Sequence, residues 1–241
     1  TISGLIYLLY MSFISQVPWG TDWCPSWLPV AVLIPSSTFV MLMTLLISSQ
    51  VGILFSFLLS FISMLAVRMY IYSALVTFLS GFAGCTVAEG TKKRIDLVNS
   101  GILLTLYNII FLSILCFIKV SKPVDIVKAV FYGGINGFLS SILTVGLLPA
   151  LEHLLNAPTR FRLMELSDLN SPILKKMLSL APGTYNHSIS VGNLAESACM
   201  LIGANALLAR VGAYYHDIGK IDQAKYFIEN QREYNKHDDL T

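Results

Sequence analysis

The chain has 241 residues, of which 55% are hydrophobic and 12% charged, and its formal net charge is +2. So apolar a composition excludes an ordinary soluble domain and points to a membrane protein. The small net charge gives no footprint for a nucleic-acid polymer, and the charges are sparse before about residue 150 and concentrated after it.

Six apolar segments follow one another, at about 2–17, 28–48, 51–67, 71–88, 100–119 and 126–151. Several approach the roughly 20 residues that a helical span needs. The third and fourth are separated only by Arg68, Met69 and Tyr70. None has the basic leader and cleavage site of a signal peptide. Trp19, Trp23 and Trp27 cluster in one loop, and Tyr70 and Tyr72 in another, as aromatic rings do at a membrane–water interface. With six spans both clusters fall on the face opposite the C-terminal part.

The spans carry almost no ionisable groups, since Arg68 and Glu89 sit at segment ends. That argues against ion or proton transport. Asn108, Asn136 and Gln50 read as interhelical hydrogen-bonding groups. Gly133, Gly137 and Ser141 form a small-residue stripe on the last span, fit either for packing within one subunit or for a homodimer face. Of the four cysteines, Cys85, Cys116 and Cys199 lie in apolar helices and read as packing residues, and Cys24 lies in the outer loop; no pair has metal-ligand spacing.

The last span runs on through Glu152 and His153 until Asn156-Ala-Pro158 ends it. Arg160 and Arg162 follow, a lipid-headgroup contact or a solvated face. Ser171-Pro172 is a helix start, with Ser as cap and Pro at the first helical position. No flexible linker intervenes, so movement of the last span has a direct route to the C-terminal part.

The chemistry concentrates in 183–222. Val191, Leu194, Ala195, Ala198, Leu201 and Ile202 fall on one helix face, and His187 lies one turn before Val191 on that face, which predicts an inward-pointing ring. Gly203 reads as the stop and Asn205 as the next cap. Leu207, Leu208, Val211, Tyr215 and Ile218 form the next apolar stripe, with His216 and Asp217 beside it. Gly212 and Ala213, one turn back, leave space above the backbone for an ion. Imidazole and carboxylate hold divalent transition metals, although a lone histidine on an apolar face is more often a hydrogen-bonded core residue.

Four stretches carry a resemblance: Glu165-Leu-Ser-Asp-Leu-Asn-Ser-Pro172, Ala181-Pro-Gly-Thr-Tyr-Asn-His187-Ser, Gly203-Ala-Asn-Ala-Leu-Leu-Ala-Arg-Val-Gly-Ala-Tyr-Tyr-His-Asp-Ile-Gly-Lys220 and Tyr226-Phe-Ile-Glu-Asn-Gln231. Residues 159–231 resemble, without gaps, the HD domain of the bacterial seven-transmembrane HD hydrolases, the cyclic-di-AMP phosphodiesterases of the PgpH type. The membrane part resembles the same family more loosely, and the family's first span would lie before Thr1. The resemblance implies an all-α chain, with a polytopic helical membrane domain at 1–155 and the N-terminal part of an α-helical HD hydrolase domain at 156–241. It implies that His187, His216 and Asp217 are metal ligands, that the Asp217 carboxylate bridges two metals, manganese or iron, and that a hydroxide held there attacks phosphorus. It implies a cyclic dinucleotide substrate, cyclic di-AMP, cleaved to the linear form. Lys220 is placed either to hold a substrate phosphate or to pair with a carboxylate, and the choice stays open. Tyr185, Tyr214 and Tyr215 are candidates for base stacking or core packing.

The positive-inside tally does not decide orientation. The resemblance, and the location of nucleotide substrates, places the HD domain in the cytosol of a bacterium, with the spans in the cell (inner) membrane and an external signal as possible regulator. Two alternatives stay in view: another membrane-tethered metal phosphohydrolase, and a non-catalytic nucleotide-binding receptor. Both ends read as cut. The family's pattern calls for two further histidines and an aspartate beyond Thr241, and His153 and His237 are not expected to replace them. The 241-residue chain alone is therefore expected to bind one metal weakly or none, and to leave cyclic di-AMP intact.

Overall fold

The computed structural model describes residues 35–66, 71–91, 93–118, 123–231 and 235–239. The 2–17 segment, the three tryptophans, Cys24 and the Arg68–Tyr70 turn lie outside them. Among the described residues the regular structure is entirely helical. The chain divides into two compact units, Thr1–Thr159 and Arg160–Thr241.

The first unit holds α1 (Ser36–Leu46), α2 (Ser49–Ala66), α3 (Ile71–Glu89), α4 (Arg94–Ile118) and α5 (Pro123–Leu155). Three helices, Ile71–Glu89, Arg94–Ile118 and Ile126–Leu155, are long and apolar enough to cross a membrane, by length and composition. In this unit many small polar residues are buried and many large apolar ones are exposed, unlike a soluble protein. Ser37, Ser56, Ser63, Ser73, Thr77, Ser140 and Thr144 are buried, while Leu54, Phe57, Phe117 and Val127 are exposed. Such an apolar exterior suits hydrocarbon and not water.

The buried hydroxyls join the helices. Ser37 Oγ lies 2.7 Å from Ser80 Oγ. Ser56 donates to the Phe78 carbonyl at 2.9 Å, and Thr77 donates to Ser63 Oγ at 3.0 Å. Small residues let the backbones approach closely enough for these bonds. Asn108 Nδ2 donates to Asn136 Oδ1 at 3.3 Å, between α4 and α5, as the sequence predicts. Gln50, by contrast, is exposed at the start of α2.

The stripe on α5 has its partner within the chain. A Cβ at Gly137 would lie 2.6 Å from the Thr105 backbone nitrogen, and one at Gly133 would lie 2.7 Å from Leu112 Cδ1. Ser141 Oγ donates to the Leu97 carbonyl. Of the two readings of this stripe, packing within one subunit is the one the structure displays.

At the end of α5, Glu152 is only 7% exposed and takes a charge-assisted bond from Arg94 at 2.7 Å. Thr159 Oγ1 also donates to its carboxylate. The helix stops at Leu155, and Asn156 takes φ 47°, the left-handed conformation that asparagine tolerates better than most residues. The predicted stop at Asn156-Ala-Pro158 is where the structure turns.

The second unit holds α6 (Arg160–Leu166), α7 (Pro172–Leu180), α8 (Pro182–Leu201) and α9 (Ala206–Tyr215), followed by 3-10 turns at Ile218–Tyr226, Ile228–Asn230 and Lys236–Asp239. Its core is Leu174, Met177, Ala181, Tyr214, Ile221 and Ala224, with Tyr185, Ile189, Tyr215 and Ile218 packed against it. Tyr215 Oη donates to the Leu166 carbonyl at 3.0 Å. Core packing thus accounts for all three tyrosines that the sequence left between packing and stacking.

Pro172 opens α7 with Ser171 before it, but the Ser171 hydroxyl caps no backbone N–H. The cap at Asn205 is real, its Oδ1 accepting from Leu208 N at 3.1 Å. Gly203 takes φ +69°, the conformation that ends helices and that glycine adopts without cost.

The apolar face of α8 is where the structure departs from the periodicity. Leu194 is 72% exposed and Leu201 89%, and His187 is exposed as well. The buried residues of α8 are Thr184, Ser188 and Gly192. Close approach explains the inversion. A Cβ at Gly192 would lie 2.6 Å from Tyr214 Cε1, so the helix presents its narrow, small-residue face to α9. The leucines point elsewhere.

Candidate metal centre

Two contacts hold α8 against α9 and set the position of the site. The Tyr214 ring seats over Gly192. Arg210 Nε donates to Glu196 Oε2 at 2.7 Å. The contacts 192–214 and 196–210 run in opposite chain order, so the helices are antiparallel. That arrangement carries His187, near the start of α8, to His216, just past the end of α9.

The His187 and His216 rings lie 5.7 Å apart, centroid to centroid, at 58°. Ligand atoms of His187, His216 and Asp217 all fall within 4.8 Å of one another, and among the described residues this is the one cluster of three or more such groups. Donors that share one ion at about 2.0–2.2 Å each stand no more than about 4.4 Å apart, so the three groups lie close to ligating distance and a small side-chain adjustment closes the set. No Cβ-sized neighbour occupies the space beside Gly212 or Gly219, so the room inferred from the sequence at Gly212 is present.

Hydrogen bonding determines the state of His216. Its Nδ1 lies 2.7 Å from the Ala213 carbonyl oxygen. A carbonyl only accepts, so Nδ1 carries the proton. Nε2 lies 3.3 Å from Asp217 Oδ2. Without a second proton, that contact brings an imidazole lone pair against a carboxylate. A positive charge at this place, a proton or a metal ion, satisfies both groups. Fixing a ring through its other nitrogen onto a backbone carbonyl is how ligating histidines are oriented. The donor set therefore fits a divalent transition metal.

Lys220 lies against the same carboxylate. Its Nζ is 2.8 Å from Asp217 Oδ2 and 2.8 Å from Glu229 Oε1, and 4.9 Å from the centroid of the Phe227 ring. The hydrogen bonds that Lys220 donates to Asp217 and Glu229 raise the Lys220 pKa above its ordinary value. The Lys220 bond in turn holds the Glu229 carboxyl below the usual range, with the Glu229 backbone and Thr184 adding to the effect.

Sequence reading missed Glu229, Thr184 and Asn230. Asn230 Oδ1 accepts from Gly183 N at 2.9 Å and from Thr184 N at 3.1 Å. It thereby caps the first turn of α8 from a position 46 residues downstream of Thr184. The words Gly-Thr-Tyr-Asn-His and Glu-Asn-Gln both stood out in the sequence, but no local spacing links them.

His237 stands apart from the group. Its Nε2 lies 2.8 Å from the Tyr226 carbonyl, and its ring packs edge-on against Tyr226. His153 belongs to the first unit, at the end of α5.

The family described as "7TM receptor with intracellular HD hydrolase" matches residues 2–159, and the HD domain matches residues 184–241. The cyclic-di-AMP phosphodiesterase PgpH of Bacillus subtilis (strain 168) is 34% identical over 221 residues, covering 88% of this chain and 31% of the relative. The cyclic-di-AMP phosphodiesterase PgpH of Listeria monocytogenes serotype 1/2a (strain 10403S) is 37% identical over 217 residues, covering 88% of this chain and 30% of the relative. An uncharacterised protein of Synechocystis sp. is 43% identical over 114 residues, covering 47% of this chain and 14% of the relative. The chain thus spans about a third of the length of the two phosphodiesterases. No solved structure matches it.

Proposed function

The chain belongs to the family of 7TM receptors with an intracellular HD hydrolase, and from that membership we propose that it is the membrane anchor and metal-binding part of a phosphodiesterase that cleaves cyclic di-AMP to linear pApA. The membrane character rests on the family match and on the three long apolar helices. The substrate comes from the two relatives named as cyclic-di-AMP phosphodiesterases. The observation that carries the reading is the convergence of His187, His216 and Asp217 ligand atoms within 4.8 Å.

In this proposal residues 1–155 are the transmembrane domain and residues 156–241 belong to the HD hydrolase domain, which faces the cytosol of a bacterial cell with the spans in its inner membrane. His187 and His216 contribute ring nitrogens and Asp217 a carboxylate oxygen. Two divalent ions, manganese or iron, supply Lewis acidity and an acidified water at neutral pH. The Ala213 carbonyl keeps the His216 lone pair turned toward Asp217. The Asp217 charge concentrates positive charge where a phosphodiester has to lie. Lys220 lies within reach of the same carboxylate and serves the site either there or on a phosphate oxygen.

The test uses a protein of the relatives' full length in detergent. With manganese it should convert cyclic di-AMP to pApA, and with a chelator it should not. Cleavage of other phosphodiesters in preference to cyclic di-AMP would transfer the reading to another metal phosphohydrolase. Nucleotide binding without any cleavage would favour a receptor.

A further inference from the structure

Glu229 touches none of the three candidate ligands, yet a single residue joins it to one of them. Lys220 Nζ lies at the same 2.8 Å from Asp217 Oδ2 and from Glu229 Oε1. One ammonium is therefore divided between two carboxylates. These three side chains are between 21% and 28% exposed, so water screens the contacts less than on an open surface.

The Glu229 end of this bridge is the better anchored. Thr184 Oγ1 donates to Glu229 Oε1 at 3.1 Å. Asn230 Nδ2 donates to Thr184 Oγ1 at 2.8 Å, and Asn230 Oδ1 is fixed by the backbone of Gly183 and Thr184. Thr184 itself is fully buried. The Glu229 carbonyl packs so closely on Gly183 that a Cβ there would lie 1.8 Å from its oxygen. Asp217 Oδ2, in contrast, faces Lys220 and the His216 ring nitrogen.

We propose that Glu229 is a positioning residue that shares the Lys220 ammonium with Asp217, weakens that ammonium's hold on the Asp217 carboxylate, and so keeps the carboxylate open to a divalent cation. The inference rests on the reading that His187, His216 and Asp217 hold such an ion. Electrostatics sets its direction. When Glu229 loses its charge, Asp217 becomes the sole anionic partner of the ammonium, and an incoming ion has to displace a tighter pair. When Lys220 loses its charge, the competitor is gone. The two neutralisations therefore act with opposite sign, and the Glu229 effect passes through Lys220.

The experiment is calorimetric titration of a protein of the relatives' full length in detergent with Mn2+, with circular dichroism and a melting curve for each variant. Glu229→Gln should weaken Mn2+ binding roughly 10-fold, the scale on which partners of metal ligands act. Lys220→Gln should leave binding equal or tighter. The double variant Lys220→Gln/Glu229→Gln should match Lys220→Gln alone. Glu229→Asp keeps the charge but withdraws it by one methylene, and it should weaken binding even where Glu229→Gln does not fold. Unchanged affinity in both Glu229 variants, or an equal loss on the Lys220→Gln background, would overturn the proposal while leaving the metal site standing. No Mn2+ uptake by the unsubstituted full-length protein, or full affinity in Asp217→Ala, would overturn the metal site and the proposal with it.

Discussion

Asp217 is the residue on which the site converges, since His216 Nε2 and Lys220 Nζ both point at its Oδ2. Asp217→Ala should therefore abolish Mn2+ binding in this chain, and metal-dependent hydrolysis in a protein of the relatives' full length, with the helical circular dichroism signal unchanged. Turnover near the unsubstituted level would rule out the carboxylate's role. Glu229 adds a pH dependence to stability. Its bond with Lys220 lowers its pKa in the fold, so its contribution is complete above the unfolded value and fades as pH falls through the lowered one. The melting temperature of the unsubstituted chain should exceed that of Glu229→Gln at about pH 6, and the gap should narrow as pH falls below the ordinary carboxylate range. Asn230 stabilises by capping. Asn230→Ala removes the acceptor for two N–H groups at the start of α8 and should cost about 1 kcal/mol, which thermal melting of the second unit would report as a drop of about 4–8 °C.

At the level of elements, the pair α4 and α5 depends on close approach. Gly137 lies against the Thr105 backbone, 2.6 Å from where a Cβ would reach. Gly137→Leu should force the two helices apart and lower thermal stability in detergent by more than an overpacked side chain alone, about 1–3 kcal/mol, because backbone cannot yield as a side chain does. Unchanged melting would place this face of α5 against lipid. The junction after α5 is also specified by particular atoms. Arg94 and Thr159 both bond to the buried Glu152 carboxylate, which ties the start of α4 to the last residue of the first unit. Within the second unit, α8 and α9 meet through glycine and tyrosine, and this brings the histidines together at one end of the pair.

For the whole molecule, the ligand inventory sets a limit. A two-metal site needs roughly five or six protein ligands, and the cluster among the described residues offers three. His237 is held by the Tyr226 carbonyl instead. This chain should therefore take up no more than one Mn2+ ion and leave cyclic di-AMP intact, whereas a protein of the relatives' full length should hold two and hydrolyse it. Native mass spectrometry beside a product assay decides the matter. Two tightly held ions with turnover from the 241 residues would show that the ligand assignment is wrong.

The sequence by itself determined what depends on neighbours along the chain. A run of apolar residues specifies a long apolar helix, Asn156-Ala-Pro158 ends one, and Gly203 and Asn205 end one helix and begin the next. His187, His216 and Asp217 were legible as a group because their residue types and words resemble a known pattern. Tertiary structure alone decided which face of α8 is buried, because the Tyr214 ring seated over Gly192 outweighed the leucine stripe, and small residues carry no hydropathic signal of burial. It also decided the partners of Lys220. The sequence left phosphate and carboxylate open, and the fold sets Asp217 and Glu229 on either side of the ammonium. Glu229 and Asn230 meet Thr184 across 45 and 46 residues. Helical periodicity does not reach so far, so that contact exists only once α8 and the turns after α9 have packed.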